Sequence, residues 1–320
     1  MEVGKLKNNL PEFVQKRYDW RQIALKVENE RFIAVPAPRI YQLEITNFCN
    51  LKCPMCPRKK MTRDIGFMDF DFFKRIIDQL DRPQAIELFG FGESVLHKNF
   101  LQMVEYCKNK GHYTVLATNG TKSMLHKYDI LDFIVFDLDS EIKKVYESIR
   151  VGSNYYKVRR NIERFLKVKQ HTFVVIQAIE MPGNESPVIY KDKWIKLGVD
   201  EIRIKFFDTF AGSVMMKNRA IKSEERQPCP EIFYGFDVWW DGTVVPCGRY
   251  FDASYTYGNL HKNSLLEIWN SDKANRLREI HRNKEWQEAP IRCQKCQEWM
   301  LTNLRFCVDI SNNMFRGNFV

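Results

Sequence analysis

The chain has 320 residues, enough for one large core or two ordinary domains, and 50 Lys+Arg against 40 Asp+Glu leave a formal charge of +10. The basic residues are scattered (5–16, 59–63, 157–169), which reads as solvated helix faces and argues against a nucleic-acid groove while leaving room for a negatively charged substrate. No apolar run approaches the roughly 18 residues needed to span a bilayer, and the first residues lack the apolar stretch of a secretory signal, so a cytoplasmic protein without a membrane partner is expected. Its nine cysteines then point to metal ligation rather than disulfides, because the cytosol keeps thiols reduced.

Residues 10–27 carry Phe13, Val14, Ile23, Leu25 and Val27 among many charges and end at Val35-Pro-Ala-Pro38, which predicts a helical N-terminal extension and linker over 1–38. From Arg39 the pattern becomes regular. Short β-rich runs at 42–45, 85–89, 114–117, 133–137, 173–179 and 201–206 alternate with segments of helical period, the signature of parallel strands joined by crossover helices. The first helix should start at Asp69 as N-cap and present Phe73, Ile76, Ile77 and Leu80 on one face; a later one carries Val158, Ile162, Phe165 and Leu166 as core. In such α/β folds ligands gather at the carboxyl ends of the strands.

Directly after the first strand come Cys49, Cys53 and Cys56, a Cys-x3-Cys-x2-Cys triplet. Three thiolates on a four-iron cluster leave one iron without a protein ligand, an arrangement suited to chemistry rather than bracing, with a small molecule completing the site. A zinc knuckle is the competing assignment, but no further His or Cys follows until His97. The triplet resembles the signature of the radical S-adenosylmethionine (SAM) superfamily, in which the methionyl amine and carboxylate of the cofactor fill the open iron site. Met55 stands where that family often has an aromatic residue. The resemblance implies an open, partial (β/α)6 barrel over 39–220, a [4Fe-4S] cluster on Cys49, Cys53 and Cys56, and SAM beside it.

Further strand-end segments are similar to the family's motifs. Phe89-Gly-Phe-Gly-Glu-Ser94 resembles a variant Gly-Gly-Glu-Pro loop, which makes Gly92, Glu93 and Ser94 cofactor-binding candidates, with Glu93 as partner of the methionyl amine. Thr118-Asn119-Gly120 recurs in the family after the third strand; Gly120 is most simply a turn residue, and Asn119 either caps it or faces the cofactor. Asp137 and Asp139 stand where relatives carry Ser-x-Asp, so a carboxylate at Asp137 is expected to bind ribose hydroxyls. Tyr146-Glu-Ser-Ile-Arg150 resembles a Tyr-x-x-Ile-Arg segment and nominates Arg150 for a carboxylate contact, against the alternative of a surface arginine at a helix end.

Past Phe210 the alternation stops, and a boundary near 220 opens a second part over 221–320. Cys229 is followed by a strand (236–240), an Asp241-Gly242 turn and a second strand ending at Cys247, so a hairpin joins two thiolates; a helical segment (264–280) then leads to Cys293 and Cys296. Four such thiolates can hold either zinc or a [4Fe-4S] cluster. Cys-x12-Gly-x4-Cys, Gly258-Asn-Leu260, Ile268-Trp-Asn270 and Cys-x2-Cys resemble the SPASM module of radical enzymes, and Thr302 in place of a further cysteine implies the shortened, twitch-type form with one auxiliary cluster, for two clusters in all. Of the remaining cysteines, Cys107 sits on an apolar helical stripe as a core residue, and Cys307 is either buried or a hydrogen-atom donor to a substrate radical.

The resemblance therefore implies an oxidoreductase in which SAM yields a 5′-deoxyadenosyl radical that takes hydrogen from a small polar substrate such as an aminosugar, cyclitol or nucleotide-linked sugar. The auxiliary cluster accepts the remaining electron, and a flavodoxin or ferredoxin supplies the first one. Alternatives are a peptide-modifying maturase, a redox-neutral epimerase, or a metal-binding scaffold without turnover.

Overall fold

A computed structural model describes residues 32–123, 126–181, 183–184, 187–205, 207–214, 226–296, 307–309 and 314–316; the helix expected at 10–27 lies outside them. Two sheets organise the chain. The larger is built on five parallel strands, β2 (Ala85–Glu87), β3 (Tyr113–Thr118), β4 (Phe133–Asp137), β5 (Phe173–Ile179) and β6 (Glu201–Lys205), in the order β6-β5-β4-β3-β2. Their inner positions are nearly continuously apolar and buried, as parallel strands covered on both faces must be.

The crossover segments bury one stripe each. α1 (Phe70–Ile77) starts where Asp69 accepts a hydrogen bond from Phe72 N at 2.9 Å and packs Phe72, Phe73, Ile76 and Ile77 inward; Leu80 lies past its end. α2 (Phe100–Asn109) buries Phe100, Met103, Val104 and Cys107, which places Cys107 in the core. α3 (Lys143–Ile149) and α4 (Tyr155–Val168) follow β4, with Asn154 capping α4 through Lys157 N at 2.9 Å, and α5 (Lys191–Lys196) precedes β6.

The smaller sheet has the order β1-β7-β8-β9: β1 (Arg39–Leu43), β7 (Gly235–Val238), β8 (Thr243–Val245) and β9 (Gly258–Asn259). The hairpin β7-β8 turns at Gly242, whose φ of +80° suits a glycine turn. β1 lies beside β2, but its hydrogen-bonded partner is β7, in parallel register. The first strand of the barrel is thus tied to the cysteine-bearing second part, and one apolar core runs through both, from Phe73 and Phe136 to Phe236, Trp269 and Leu277. α6 (Leu265–Trp269), α7 (Asp272–Asn283) and α8 (Ile291–Lys295) complete that part, α6 opening with a Ser264/Glu267 capping box.

Two sets of contacts cross the expected domain bounds. The linker packs as structure: Val35 N donates to Phe233 O at 2.9 Å, and Val35 O accepts from Trp269 Nε1 at 2.8 Å. Residues near the C-terminus leave the auxiliary part, with β10 (Cys307–Asp309) pairing antiparallel to β11 (Met314–Arg316) and β11 pairing parallel to β6. An uncovered edge at β6 exposes unpaired backbone groups, and the returning strand satisfies them.

Candidate functional site

The cysteine loop leaves β1 and is stapled to the segment that follows it. Thr46 Oγ1 donates to Gly66 O at 2.7 Å, and Asn47 bonds both Asp64 O (2.8 Å) and Gly66 N (2.9 Å). Beneath it the buried pair Glu44–Arg63 (2.9 Å) closes the floor. Gly92 has no room for a side chain: an added Cβ would lie 2.1 Å from Thr46 O and 2.8 Å from Phe48 O. The glycine loop thus lies flat on the cysteine loop, and Gly92 also lines the cleft beside the three cysteines.

Cys49, Cys53 and Cys56 line one cleft, open to solvent, at the carboxyl ends of β2–β6. Burial raises the pKa of all three thiols, that of Cys56 to about 11; the Leu51 amide (3.4 Å from Cys49 Sγ) acts in the opposite sense, and so does Arg150 at Cys53. Thiols so desolvated become thiolates when a cationic centre binds among them, and the donor set fits a cluster held by three sulfurs. Met55 lines the same cleft.

Glu93 is 3% exposed and faces the cleft from the end of β2; Thr118 Oγ1 (2.7 Å) and Asn119 N (2.8 Å) donate to its two oxygens, and burial lifts its pKa to about 7. Its hydrogen-bond donors are neutral, so no cation of the chain claims the carboxylate, and its ionised form can receive an incoming ammonium. Asn119 is shared out: its Oδ1 accepts from Thr121, and its Nδ2 donates to Asn50 Oδ1 at 3.1 Å and lies 3.9 Å from Cys49 Sγ. Ser94 is buried behind the loop, outside the cleft lining.

Asp137 lines the cleft, and burial raises its carboxyl pKa although Gln177 Nε2 (3.0 Å) and Arg150 Nη1 (3.1 Å) donate to it. Asp139 is fully buried and accepts from Ile179 N (2.9 Å) and Arg150 Nε (2.5 Å). It therefore holds Arg150 and the end of β5 and does not line the cleft. Arg150 is buried, which removes the surface alternative, and its two carboxylate partners come from the chain itself. Cys307 begins β10, and its side chain lies outside the described residues.

Cys229, Cys247, Cys293 and Cys296 surround a second, smaller cavity, brought together by the β7–β8 hairpin and α8. Among the described residues no three His, Cys, Asp or Glu are arranged to hold a single metal ion. Four thiols around a cavity are a donor set that fits a four-iron cluster. Tyr250 Oη donates to Cys293 Sγ at 3.1 Å, and His281 accepts from Cys229 N at 3.1 Å, burial pushing its pKa down to about 3. Arg249 lines both cavities, and the Cys247-Gly248-Arg249 segment is the wall between them.

Sequence reasoning missed Gln177, Arg203, Lys205, Arg249, Tyr250 and His281. The signal for the strand residues was present, because charged residues at Arg203 and Lys205 alternate on one face of a strand that is otherwise buried. Tyr250 and His281 are separated from their cysteines by 43 and 52 positions, so no local pattern marks them.

Comparison with known proteins agrees with this geometry. The Radical SAM superfamily profile matches residues 43–185, and the SPASM profile, an iron-sulfur cluster-binding domain, matches residues 229–297. The tungsten-containing aldehyde ferredoxin oxidoreductase cofactor-modifying protein of Pyrococcus furiosus is 25% identical over 296 residues, covering 75% of this chain and 83% of that protein. Streptococcus suis SuiB, solved with its precursor peptide SuiA, superposes with a TM-score of 0.65 at 15% identity over 97% of this chain and 81% of its own. BtrN in complex with AdoMet and 2-DOIA superposes with a TM-score of 0.54 at 17% identity over 82% of this chain and 94% of its own. Three cysteines at the mouth of a partial parallel barrel, four more around an adjoining cavity, and both family matches make this chain a member of the radical SAM superfamily, an enzyme with a SPASM-type cluster domain that uses S-adenosylmethionine and two iron-sulfur clusters.

Proposed function

We propose that the enzyme oxidises a small polar substrate by hydrogen abstraction, with the auxiliary cluster as electron acceptor. When bound, the cofactors supply a reductively generated 5′-deoxyadenosyl radical on the cleft side and an electron sink on the other. Cys49, Cys53 and Cys56 hold the first cluster. Glu93, oriented by Thr118 and Asn119 N, receives the methionyl ammonium, and Asp137, steadied by Gln177 and Arg150, takes ribose hydroxyls. Gly92 keeps the glycine loop seated on the cysteine loop, and Asn119 braces Asn50 next to Cys49. Cys229, Cys247, Cys293 and Cys296 hold the second cluster.

The observation that carries this reading is the shared wall at Cys247-Gly248-Arg249, which sets the auxiliary cavity directly behind the substrate cleft, where an electron leaving the substrate has the shortest way to go. The Pyrococcus furiosus relative, named as a cofactor-modifying protein, supports a cofactor-sized molecule as substrate. An electron carrier such as flavodoxin or ferredoxin supplies the first electron.

A peptide-modifying reading is favoured by the opening of the cleft to solvent, through which a peptide loop can enter as a sugar can. Anaerobic reconstitution tests both. About eight irons per chain are expected, together with release of 5′-deoxyadenosine; a deuterated small substrate should yield a carbonyl product, whereas a crosslinked peptide would favour the maturase, and solvent hydrogen at carbon an epimerase. If Cys49→Ala still cleaved the cofactor, the assignment of the first cluster would be wrong.

A further inference from the structure

Four cationic side chains line the cleft: Arg150, Arg203, Lys205 and Arg249. Three of them are neutralised by carboxylates. Arg150 pairs with Asp137 and Asp139. Arg203 gives Nε and Nη2 to one oxygen of Glu201 at 3.1 and 2.9 Å, and Arg249 reaches Asp208 at 2.9 Å and Glu231 at 3.4 Å. Lys205 differs: among the described residues its ammonium has no hydrogen-bond or ion-pair partner, although the side chain is largely shielded from water. Burial moves its pKa below the ordinary lysine range, and Asp208 offsets this only in part.

An unpaired, desolvated cation is costly, so its presence in a cleft points to a partner that arrives with the ligand. Its position narrows what that partner is. Lys205 ends β6, Glu93 follows β2, and β5, β4 and β3 lie between them in the ladder. The cleft therefore carries one carboxylate met only by neutral donors at one flank and one unpaired ammonium at the other. The first suits the amino group of the cofactor; the second calls for an anion that no described residue places in ion-pair contact with it.

We propose that Lys205 seats an anionic group of the substrate, a carboxylate or a phosphate, at the flank of the cleft opposite Glu93. This rests on the reading of the cleft as the substrate chamber of a radical enzyme.

The test uses the full chain, anaerobically reconstituted with both clusters and saturated with S-adenosylmethionine. Equilibrium dialysis measures radiolabelled inorganic phosphate and, separately, acetate on wild type, Lys205→Met and Lys205→Arg. Loss of a charge-assisted contact should weaken binding in Lys205→Met by about tenfold or more, with most of the affinity kept in Lys205→Arg. Preference for phosphate identifies a phosphorylated substrate, and preference for acetate a carboxylate. Equal binding of both anions by wild type and Lys205→Met, or no binding by wild type, overturns the proposal. A readout that needs no variant is trace acetylation of the wild-type protein, in which the favoured anion should protect Lys205 but not the exposed Lys59; equal labelling with and without anion overturns the proposal as well. Release of 5′-deoxyadenosine by the same preparation tests the radical reading separately, because anion binding does not require turnover.

Discussion

Replacing Arg150 by Met should unfold the cleft from its centre. The guanidinium is 9% exposed and holds two carboxylates, Asp139 through Nε at 2.5 Å and Asp137 through Nη1 at 3.1 Å, themselves 0% and 19% exposed. Methionine fills similar space and makes neither bond, so two carboxylates are left in a desolvated site without their cation. Removing one partner from a buried ionic network costs about 3–5 kcal/mol, whereas an exposed pair would cost at most about 1. With urea slopes of about 1–3 kcal/mol/M, the unfolding midpoint should fall by at least about 1 M in anaerobic denaturation followed by circular dichroism. Combining Arg150→Met with Asp139→Asn should return part of the loss, because the remaining side chain is neutral and still accepts from Ile179 N. A loss under about 1 kcal/mol, or strict additivity in the double variant, would refute the claim that this network is desolvated and coupled.

Three further outcomes follow from the same geometry. Glu93 has a pKa of about 7, raised by burial above the ordinary carboxylate value, so the folded chain holds a proton there between about pH 4.5 and 7 that the unfolded chain has lost. Its contribution to stability is thus greatest at low pH and declines as pH rises through that window. An incoming ammonium needs the ionised form, and S-adenosylmethionine affinity should fall about tenfold per pH unit below pH 7 and lose this dependence in Glu93→Gln; equilibrium binding at pH 5.5–8 decides it. Tyr250→Phe removes the hydrogen bond to Cys293 and should shift the auxiliary cluster to a more negative midpoint potential at unchanged iron content, read by electron paramagnetic resonance during a redox titration. Gly92→Ala drives a methyl group into Thr46 O and should displace the cysteine loop, so iron falls from about eight to about four per chain while the auxiliary cluster remains.

Local chemistry made much of this protein legible from its sequence. The triplet at Cys49, Cys53 and Cys56 lies within eight consecutive residues, and β-rich apolar runs and a period-3.6 pattern placed β4, β5 and the Asp69-capped helix at their observed positions, because a parallel strand covered on both faces is apolar throughout and a helix repeats its side-chain direction every turn. What lay beyond reach were choices made between distant segments. β1 pairs with β7 rather than β2, β11 returns to cover the edge of β6, and neither choice leaves a mark in the periodicity of the strand itself, since backbone hydrogen bonds are indifferent to which neighbour supplies them.

The same distinction runs through the site. Sequence alone marked the thiols available for metal ligation and the spacing by which the first set supplies only three, since that depends on donor type and spacing. Only the tertiary structure decided that Asp139 serves Arg150 instead of a ligand, that Tyr250 reaches Cys293, and that Lys205 has no ion-pair partner among the described residues. Charge pairing falls off over a few ångströms of space and takes no account of distance along the chain, so it is settled when the strands have found their neighbours.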